Sequence, residues 1–157
     1  MLTQLTQLAL LRHGRAAGQS SDADLVPEGE AQIRALGRRL AAEGFVAAAA
    51  FSSPYRRAER TASMLLAALV SAARPTTLRE LAPDGEAGAA LDALVATQLP
   101  PGRVLVVGHM PLLGEMTMRL TGKEISFSPG TLVEIELAPG AASGRFVRRL
   151  VPEELAS

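Results

Sequence analysis

The chain has 157 residues, 48% of them hydrophobic, which predicts a single domain over residues 1–157 with a sizeable core. Sixteen basic residues balance sixteen acidic ones, so the overall charge gives no reason to expect a nucleic acid or a membrane as a partner. Cysteine is absent, which excludes disulfides, thiolate catalysis and cysteine-bound metals. The apolar stretch before residue 12 is too short for a signal peptide or a membrane span, and we expect a cytoplasmic protein.

Strands and helices alternate from the start of the chain. Leu5 to Leu11 is an apolar run typical of a buried strand that ends at a turn. Apolar residues at helical spacing predict a helix from Pro27 to about Gly44, followed by a short Ala-rich strand from Val46 to Phe51. Ser52-Ser53-Pro54 is then expected to cap a helix from about Tyr55 to Ala73.

The second half of the chain continues this alternation and ends on two strands. The predicted elements are a short strand at 76–81, a helix at 87–99, a buried strand at 104–107, a helix reaching about residue 120, and strands at 131–137 and 145–151. We expect the last two strands to be antiparallel neighbours. The alternation predicts an α/β three-layer sandwich with a mostly parallel central sheet flanked by helices.

The chain contains only two histidines, and each comes directly after a predicted buried strand. His13 follows the first strand and His109 follows the strand at 104–107. Ligands of open parallel sheets bind at the carboxyl edge of the strands, where both histidines are therefore expected. A single histidine is more often structural than catalytic, but two in equivalent positions favour a functional site.

The residues beside His13 favour phosphate chemistry. The Arg12 guanidinium offers a bidentate fork for phosphate, and Gly14 lets the backbone turn sharply next to the imidazole. The neighbouring positive charge disfavours protonation of His13, which leaves one ring nitrogen unprotonated near neutral pH. We expect the other ring nitrogen to donate its hydrogen to a backbone carbonyl.

A second basic segment lies at the predicted strand-to-helix junction, which carries Arg56, Arg57 and Arg60. A helix N-terminus has free N–H groups and a positive dipole end, so an arginine in its first turn forms an anion pocket. We expect Arg57 to bind phosphate, and we expect Arg56 and Arg60 to lie on a solvated helix face.

Four motifs, in this order, resemble those of the histidine phosphatase superfamily, the group that includes the phosphoglycerate mutases. They are Leu11-Arg12-His13-Gly14, LVPEGEAQ at 25–32, SPYRRAERT at 53–61 and Val106-Val107-Gly108-His109. Within the superfamily the chain is similar to the SixA-type phosphohistidine phosphatases. This similarity depends on the short length of the chain and on the segments ELAPDG at 80–85 and HMPLLG at 109–114.

The resemblance implies a phosphatase of phosphoglycerate mutase-like fold that uses no metal or other cofactor. His13 would take the phosphoryl group, and water would then hydrolyse the phosphohistidine enzyme. Arg12, Arg57 and His109 would bind the oxygens of the transferring group. Gln19, which stands where many relatives have an asparagine, would be a further phosphate contact. The expected substrate is a histidine-phosphorylated protein, such as a phosphotransfer or carrier domain.

The proton donor is left open by the sequence. Phosphomonoesterases of this superfamily need an acid to protonate an alkoxide leaving group, and Glu80 lies where that acid often falls. Glu80 is equally consistent with an ordinary carboxylate at a strand end, and Asp84 is a weaker candidate for the acid. Imidazole is a better leaving group than an alkoxide, so hydrolysis of phosphohistidine does not require a strong acid.

Two other functions remain compatible with these residues. The first is a small-molecule phosphomonoesterase of the same superfamily, and the second is a non-catalytic module that binds a phosphoprotein. The connections after Glu80 and His109 are too short to form a lid, which favours a substrate displayed on another protein. A mutase is disfavoured because it must enclose its phosphorylated product.

Overall fold

The structure, a computed structural model, describes residues 5–155, and six strands in this range form one sheet. The elements in chain order are β1 (Thr6–Arg12), α1 (Pro27–Ala42), β2 (Ala47–Ser52), α2 (Arg56–Ala68), β3 (Pro75–Thr77), a 3₁₀ turn (Arg79–Leu81), α3 (Ala87–Ala96), β4 (Gly102–Gly108), α4 (Leu112–Thr121), β5 (Leu132–Leu137), β6 (Gly144–Leu150) and α5 (Pro152–Leu155). None of the helices in the described range is long and apolar enough to cross a membrane.

The strands lie in the order β3-β2-β4-β1-β5-β6. The pairs β3-β2, β2-β4 and β4-β1 are parallel, whereas β5 is antiparallel to both β1 and β6. The predicted α/β fold is therefore confirmed, as is the antiparallel pairing of the last two strands. The two antiparallel pairs make the sheet mixed.

Helices cover both faces of the sheet because its central strands are apolar on both sides. In β1, Leu8 and Leu10 belong to one buried core, which includes side chains of α3 and α4. Ala9 and Leu11 point the other way, into a second core that includes side chains of α1 and α2. This alternation follows from the two-residue period of a strand and produces the three predicted layers.

The pairing of β1 with β4 brings the two histidines to one edge. These strands are parallel, and the last residues of the ladder, Arg12 and Gly108, are partners. His13 and His109 are the next residues along each strand, and the His13 N–H donates to the Gly108 carbonyl at 3.2 Å. The sequence expectation that both histidines lie at the carboxyl edge of the sheet matches this arrangement.

Several predicted boundaries are wrong. The helix expected over 55–73 ends at Ala68, close to Val70 at φ 51°, and the helix expected over 87–99 ends at Ala96, close to Gln98 at φ 60°. Left-handed residues cannot continue a right-handed helix. The segment Ser52-Ser53-Pro54 does not cap α2, because the N-cap residue is Tyr55.

The strand predicted over 76–81 is wrong in its second half. Only Pro75–Thr77 pairs with β2, since β2 itself ends at Ser52, and the Leu78 N–H makes the last bond to the Ser52 carbonyl. The chain then turns through the 3₁₀ segment and buries Leu81 in the core that contains α3 and α4. The strand therefore ends where its partner β2 ends, and the 3₁₀ turn follows.

The loop after β1 packs backbone to backbone against the start of α1. A Cβ atom at Gly14 would lie 2.7 Å from the Gly29 carbonyl oxygen, and one at Gly29 would lie 2.1 Å from the Arg15 carbonyl oxygen. Two bonds hold the loop here, from the Val26 N–H to the Arg15 carbonyl and from the Arg15 N–H to Gln32 Oε1. The segment at 25–32 therefore positions the loop that carries His13.

Gly29→Ala should destabilise the fold, although an unobstructed glycine in a helix is usually stabilised by this change. The added methyl group meets backbone that cannot move without shifting the loop, so we expect a loss of about 1–3 kcal/mol in the free energy of unfolding. Gly18→Ala is the matched control, because a Cβ atom there meets nothing within 4 Å. Equal urea midpoints for the two variants would contradict this account.

Candidate active site

His13 and His109 lie side by side at the carboxyl edge of β1 and β4. Their ring centroids are 5.0 Å apart and the ring planes are inclined by 59°. Both side chains are largely buried, with exposed fractions of 7% for His13 and 2% for His109. Both imidazoles line the same cavity and can therefore contact one small group bound there.

The hydrogen bonds of His13 define which of its nitrogens is unprotonated. Arg57 Nε lies 3.3 Å from Nε2, and because the Arg57 Nε–H can only donate, Nε2 accepts and carries a lone pair. Nδ1 lies 2.7 Å from the Gly14 carbonyl oxygen and donates its hydrogen there. The predicted backbone acceptor for His13 is thus confirmed.

Helix α2 holds this arrangement through a buried threonine that the sequence analysis missed. Thr61 Oγ1 accepts from the Gly14 N–H at 3.1 Å and donates to the Arg57 carbonyl at 2.7 Å. Gly14, whose carbonyl accepts from His13, is therefore tied through its N–H to the turn of helix that carries Arg57. Thr61 lies in the SPYRRAERT motif, and the available signal was its place on the same helix face as Ala58, Ala62 and Leu65.

Burial lowers the pKa of both histidines. For His13 desolvation is the largest cause, with the positive charges of Arg57 and Arg12 adding to it and the Gly14 hydrogen bond opposing it, and the pKa is about 4. For His109 desolvation is again the largest cause, followed by the charges of His13 and the two arginines, and the pKa is about 3. Both rings are therefore neutral at physiological pH.

Arg12 and Arg57 are held by backbone carbonyls and not by carboxylates. Arg12 Nη1 donates to the Phe127 carbonyl at 2.8 Å, and Arg57 Nη1 donates to the Ser20 carbonyl at 2.8 Å. Arg12 Nε is buried without a hydrogen-bond partner among residues 5–155. The positive charges of both side chains are oriented by these contacts but not neutralised, which suits an anion.

The other two arginines of α2 differ from Arg57 in their environment. Arg56 and Arg60 have side chains that are 61% and 41% exposed, and each pairs with Asp24 at 3.2 Å. Arg60 also pairs with Glu30 at 2.6 Å. Their charges are balanced by acidic residues, in keeping with the solvated face expected from the sequence.

A cavity of about 360 Å³ opens at the two histidines. Its lining contains three arginines and no acidic residue and consists of Arg12, His13, Arg15, Ala16, Gly18, Gln19, Arg57, Pro83, His109, Met110 and Pro129. Residues 5–155 contain no group of three or more His, Asp or Glu side chains that could hold a metal ion. The cavity is positively charged and suits a phosphate-sized anion.

The structure brings most of the predicted site residues together but leaves the two candidate acids aside. His13, His109, Arg12, Arg57 and Gln19 all line the cavity. Glu80 is half-buried in the 3₁₀ turn and Asp84 is exposed in the loop that follows. Neither lines the cavity, although Pro83 between them does.

Two further residues at the site were missed as functional candidates. Arg15 lines the cavity, and its side chain is 61% exposed and pairs with Glu28 at 2.9 Å. Ser53 is fully buried, and its Oγ lies 2.7 Å from His109 Nε2. Its place two residues after the strand predicted to end at Phe51 was the available signal, because that position leads to the same edge of the sheet as the two histidines.

Comparisons with known proteins agree with this geometry. The sequence model of the histidine phosphatase superfamily (branch 1) matches residues 8–86, about half of the chain. An uncharacterized protein of Picosynechococcus sp. is 34% identical over 115 residues, which cover 69% of each chain.

Solved structures extend the similarity to the whole fold. The protein histidine phosphatase SixA, complexed with tungstate, matches with a TM-score of 0.87 at 26% identity, covering 95% of this chain and 99% of that one. A phosphoserine phosphatase variant from Entamoeba histolytica, in complex with phosphoserine, matches with a TM-score of 0.73 at 13% identity, covering 96% of this chain and 100% of that one. The second likeness is one of fold alone. With the family model matching half of the chain and the fold following that of SixA, the chain belongs to the histidine phosphatase superfamily and is a phosphatase of SixA-like structure.

Proposed function

We propose that the protein hydrolyses phosphohistidine on another protein through a covalent intermediate on His13. The observation that carries this proposal is a cavity that joins an unprotonated His13 Nε2 to three arginines without an acidic lining residue. A phosphate monoester needs an acid for its alkoxide leaving group, whereas a phosphoramidate releases imidazole. The similarity to a structure named protein histidine phosphatase SixA supports the same substrate class.

In the first step the Arg57 Nε–H hydrogen bond transfers from His13 Nε2 to a phosphoryl oxygen, and Nε2 attacks the phosphorus atom with the lone pair that this releases. The new bond joins Nε2 to phosphorus, the nitrogen–phosphorus bond of the substrate breaks, and its electron pair stays on the leaving imidazole. A proton on the second nitrogen of that ring makes the leaving group neutral. The Nδ1–H bond of His13 to the Gly14 carbonyl holds the ring and supports the positive charge that develops on it.

Arg12, Arg57 and His109 would stabilise the transferring group by donating hydrogen bonds to its equatorial oxygens. Arg57 Nε, 3.3 Å from the attacking nitrogen, is within reach of an oxygen on the phosphoryl group that Nε2 receives. Gln19 would add an amide contact from the loop that borders the cavity. Arg12 and Arg57 are already held by backbone carbonyls, so their guanidinium groups need little reorganisation when charge develops.

In the second step a water molecule attacks the phosphoryl group on His13. The oxygen–phosphorus bond forms, the Nε2–phosphorus bond breaks, and Nε2 regains its lone pair while the protons of water leave with inorganic phosphate. The residues of this chain supply the charge stabilisation, and no metal or other cofactor takes part in the proposed mechanism.

The border of the cavity supports a substrate carried by a protein. Gly18, Gln19 and Arg15 line the cavity and are themselves exposed at the surface. A phosphohistidine on the surface of a phosphotransfer or carrier domain could therefore reach Nε2 without the enzyme opening. We place this encounter in the cytoplasm.

A small-molecule phosphomonoesterase is the second candidate, and one observation favours it. Pro83 lines the cavity, which brings the segment that contains Glu80 and Asp84 next to the site. In that case one of these carboxylates would supply the proton to an alkoxide, and its removal would lower the rate on esters far more than on phosphoramidates.

The substrate class can be tested by comparing a phosphohistidine peptide with para-nitrophenyl phosphate on the wild type, Glu80→Gln and Asp84→Asn. We expect a higher kcat/KM on phosphohistidine and nearly equal rates for the three proteins, because imidazole leaves without an enzyme acid. Faster turnover of the ester, together with its loss in either variant, would favour the phosphomonoesterase.

Dialysis against EDTA should leave all rates unchanged, because the proposed mechanism uses no metal ion. Activity that disappears on dialysis and returns with Mg²⁺ would contradict the mechanism.

The protonation state of the nucleophile can be measured by NMR titration with ¹⁵N-labelled histidine, since the chain has only two such rings. We expect His13 to stay neutral until the pH falls to about 4. Between pH 6.5 and 4 the unfolded chain binds more protons than the folded one, so the free energy of unfolding should fall as the pH is lowered. Arg57→Ala should raise the pKa of His13, and a wild-type midpoint near 6.5 would refute the account.

The covalent role of His13 is testable by rapid quench with a radiolabelled phosphoprotein. We expect an acid-labile, base-stable label on the wild type and none on His13→Ala, whose turnover should fall by about 10³-fold or more. Arg57→Ala should cost roughly 10² to 10³ in rate, as for loss of an oxyanion donor. Arg56→Ala, one residue away and paired with Asp24, is the matched control and should stay near wild type. A label retained on His13→Ala would exclude this nucleophile.

A further inference from the structure

Ser53 is a buried serine at the end of β2 whose side chain reaches the second histidine. Its backbone N–H continues the ladder by donating to the Val107 carbonyl at 3.0 Å, which sets it beside the end of β4. Its Oγ lies 2.7 Å from His109 Nε2 and accepts from the Tyr55 N–H at 3.1 Å. The mechanism above does not use this contact.

Counting hydrogens shows in which direction the bond between Ser53 and His109 runs. A serine hydroxyl has one hydrogen to donate and two lone pairs, and the Tyr55 N–H takes one of the lone pairs. Within residues 5–155, His109 Nε2 is the only acceptor in reach of the Ser53 hydroxyl. The arrangement that satisfies this buried hydroxyl is donation to Nε2, which leaves the hydrogen of the neutral ring on Nδ1.

The other nitrogen of His109 remains for the substrate. Nδ1 has no hydrogen-bond partner among the described residues. The polar side-chain atoms that are both buried and without a partner in that range are Arg12 Nε and Arg148 Nε, and Nδ1 of His109 is not among them. His109 lines the cavity, and the Tyr55 ring packs edge-on against it with centroids 5.2 Å apart and planes at 71°. The ring is thus held in one orientation, with Nε2 on Ser53 and Nδ1 left for an anion.

We propose that Ser53 is a positioning residue that fixes His109 in the Nδ1–H tautomer, so that this ring presents a donor to a phosphoryl oxygen while staying neutral. The inference rests on the proposed function for its consequence, but the tautomer itself is a property of the free protein. Without the Ser53 hydroxyl, a neutral histidine would be free to place its hydrogen on Nε2, the form favoured by imidazole side chains in water. Nδ1 would then turn a lone pair toward the phosphoryl oxygens and repel them.

The tautomers can be read from ¹⁵N chemical shifts of the two labelled histidines at neutral pH. In the wild type we expect both rings as Nδ1–H. In Ser53→Ala we expect His109 to change to Nε2–H while His13, held by the Gly14 carbonyl, stays unchanged as an internal reference. Ser53→Thr keeps the hydroxyl and should restore the wild-type tautomer.

Turnover gives the second readout, measured on whichever of the two test substrates the wild type hydrolyses. Ser53→Ala should lower kcat by about 10- to 100-fold, the usual effect of losing a partner that orients a site ligand, with a smaller change in KM. Ser53→Thr should recover most of this loss. Ser52→Ala is the matched control, because Ser52 is equally buried but donates to the Ser53 carbonyl at 2.7 Å and does not contact His109.

Three outcomes would overturn the proposal: an Nε2–H tautomer of His109 in the wild type, an unchanged tautomer in Ser53→Ala, or an unchanged kcat in that variant. The first needs no mutation, so it decides the matter even if Ser53→Ala fails to fold. Because the tautomer is read without substrate, failure to hydrolyse phosphohistidine would refute the proposed function and leave this readout intact.

Discussion

The ladder between β1 and β4 is the constraint on which the site depends. It ends with Arg12 opposite Gly108, so that the next residue of each strand is a histidine and the two rings come within 5.0 Å. Both strands are buried between helices, and their two apolar faces pack into two separate cores. A shift in register by one residue would turn every side chain to the opposite face and disrupt both cores. The distance between the histidines is therefore a property of the whole sheet.

Electrostatics at this edge depend on which arginines are neutralised. Arg56 and Arg60 pair with acidic side chains, whereas Arg12 and Arg57 are held by carbonyl oxygens and keep their charge directed at the cavity. Desolvation by burial and, after it, the charges of these two arginines lower the pKa of both imidazoles and favour the neutral rings, and a nucleophilic His13 requires the neutral form.

The cavity combines neutral imidazoles with arginine cations. Its lining has no carboxylate, so protonation of a leaving group is not provided by any residue that lines it. Two buried hydroxyl groups contact the residues that form the site. Thr61 in α2 accepts from the Gly14 N–H, and the Ser53 hydroxyl bonds to Nε2 of His109. His13 thus bonds to the carbonyl of the next residue, and His109 bonds to a serine that follows β2.

The sequence by itself determined the fold class, the location of both histidines after buried strands, and the distinct environment of Arg57 among its neighbours, because these follow from local periodicity and from short motifs. It could not determine where α2 and α3 end, since the left-handed turns at Val70 and Gln98 have no glycine to mark them. Nor could it show that Glu80 and Asp84 lie outside the cavity or that Ser53 contacts His109. Those facts depend on contacts between segments that are distant in the chain. Ser53 and His109, for example, are separated by 56 positions in the sequence, and only the packing of the sheet and its helices brings them together.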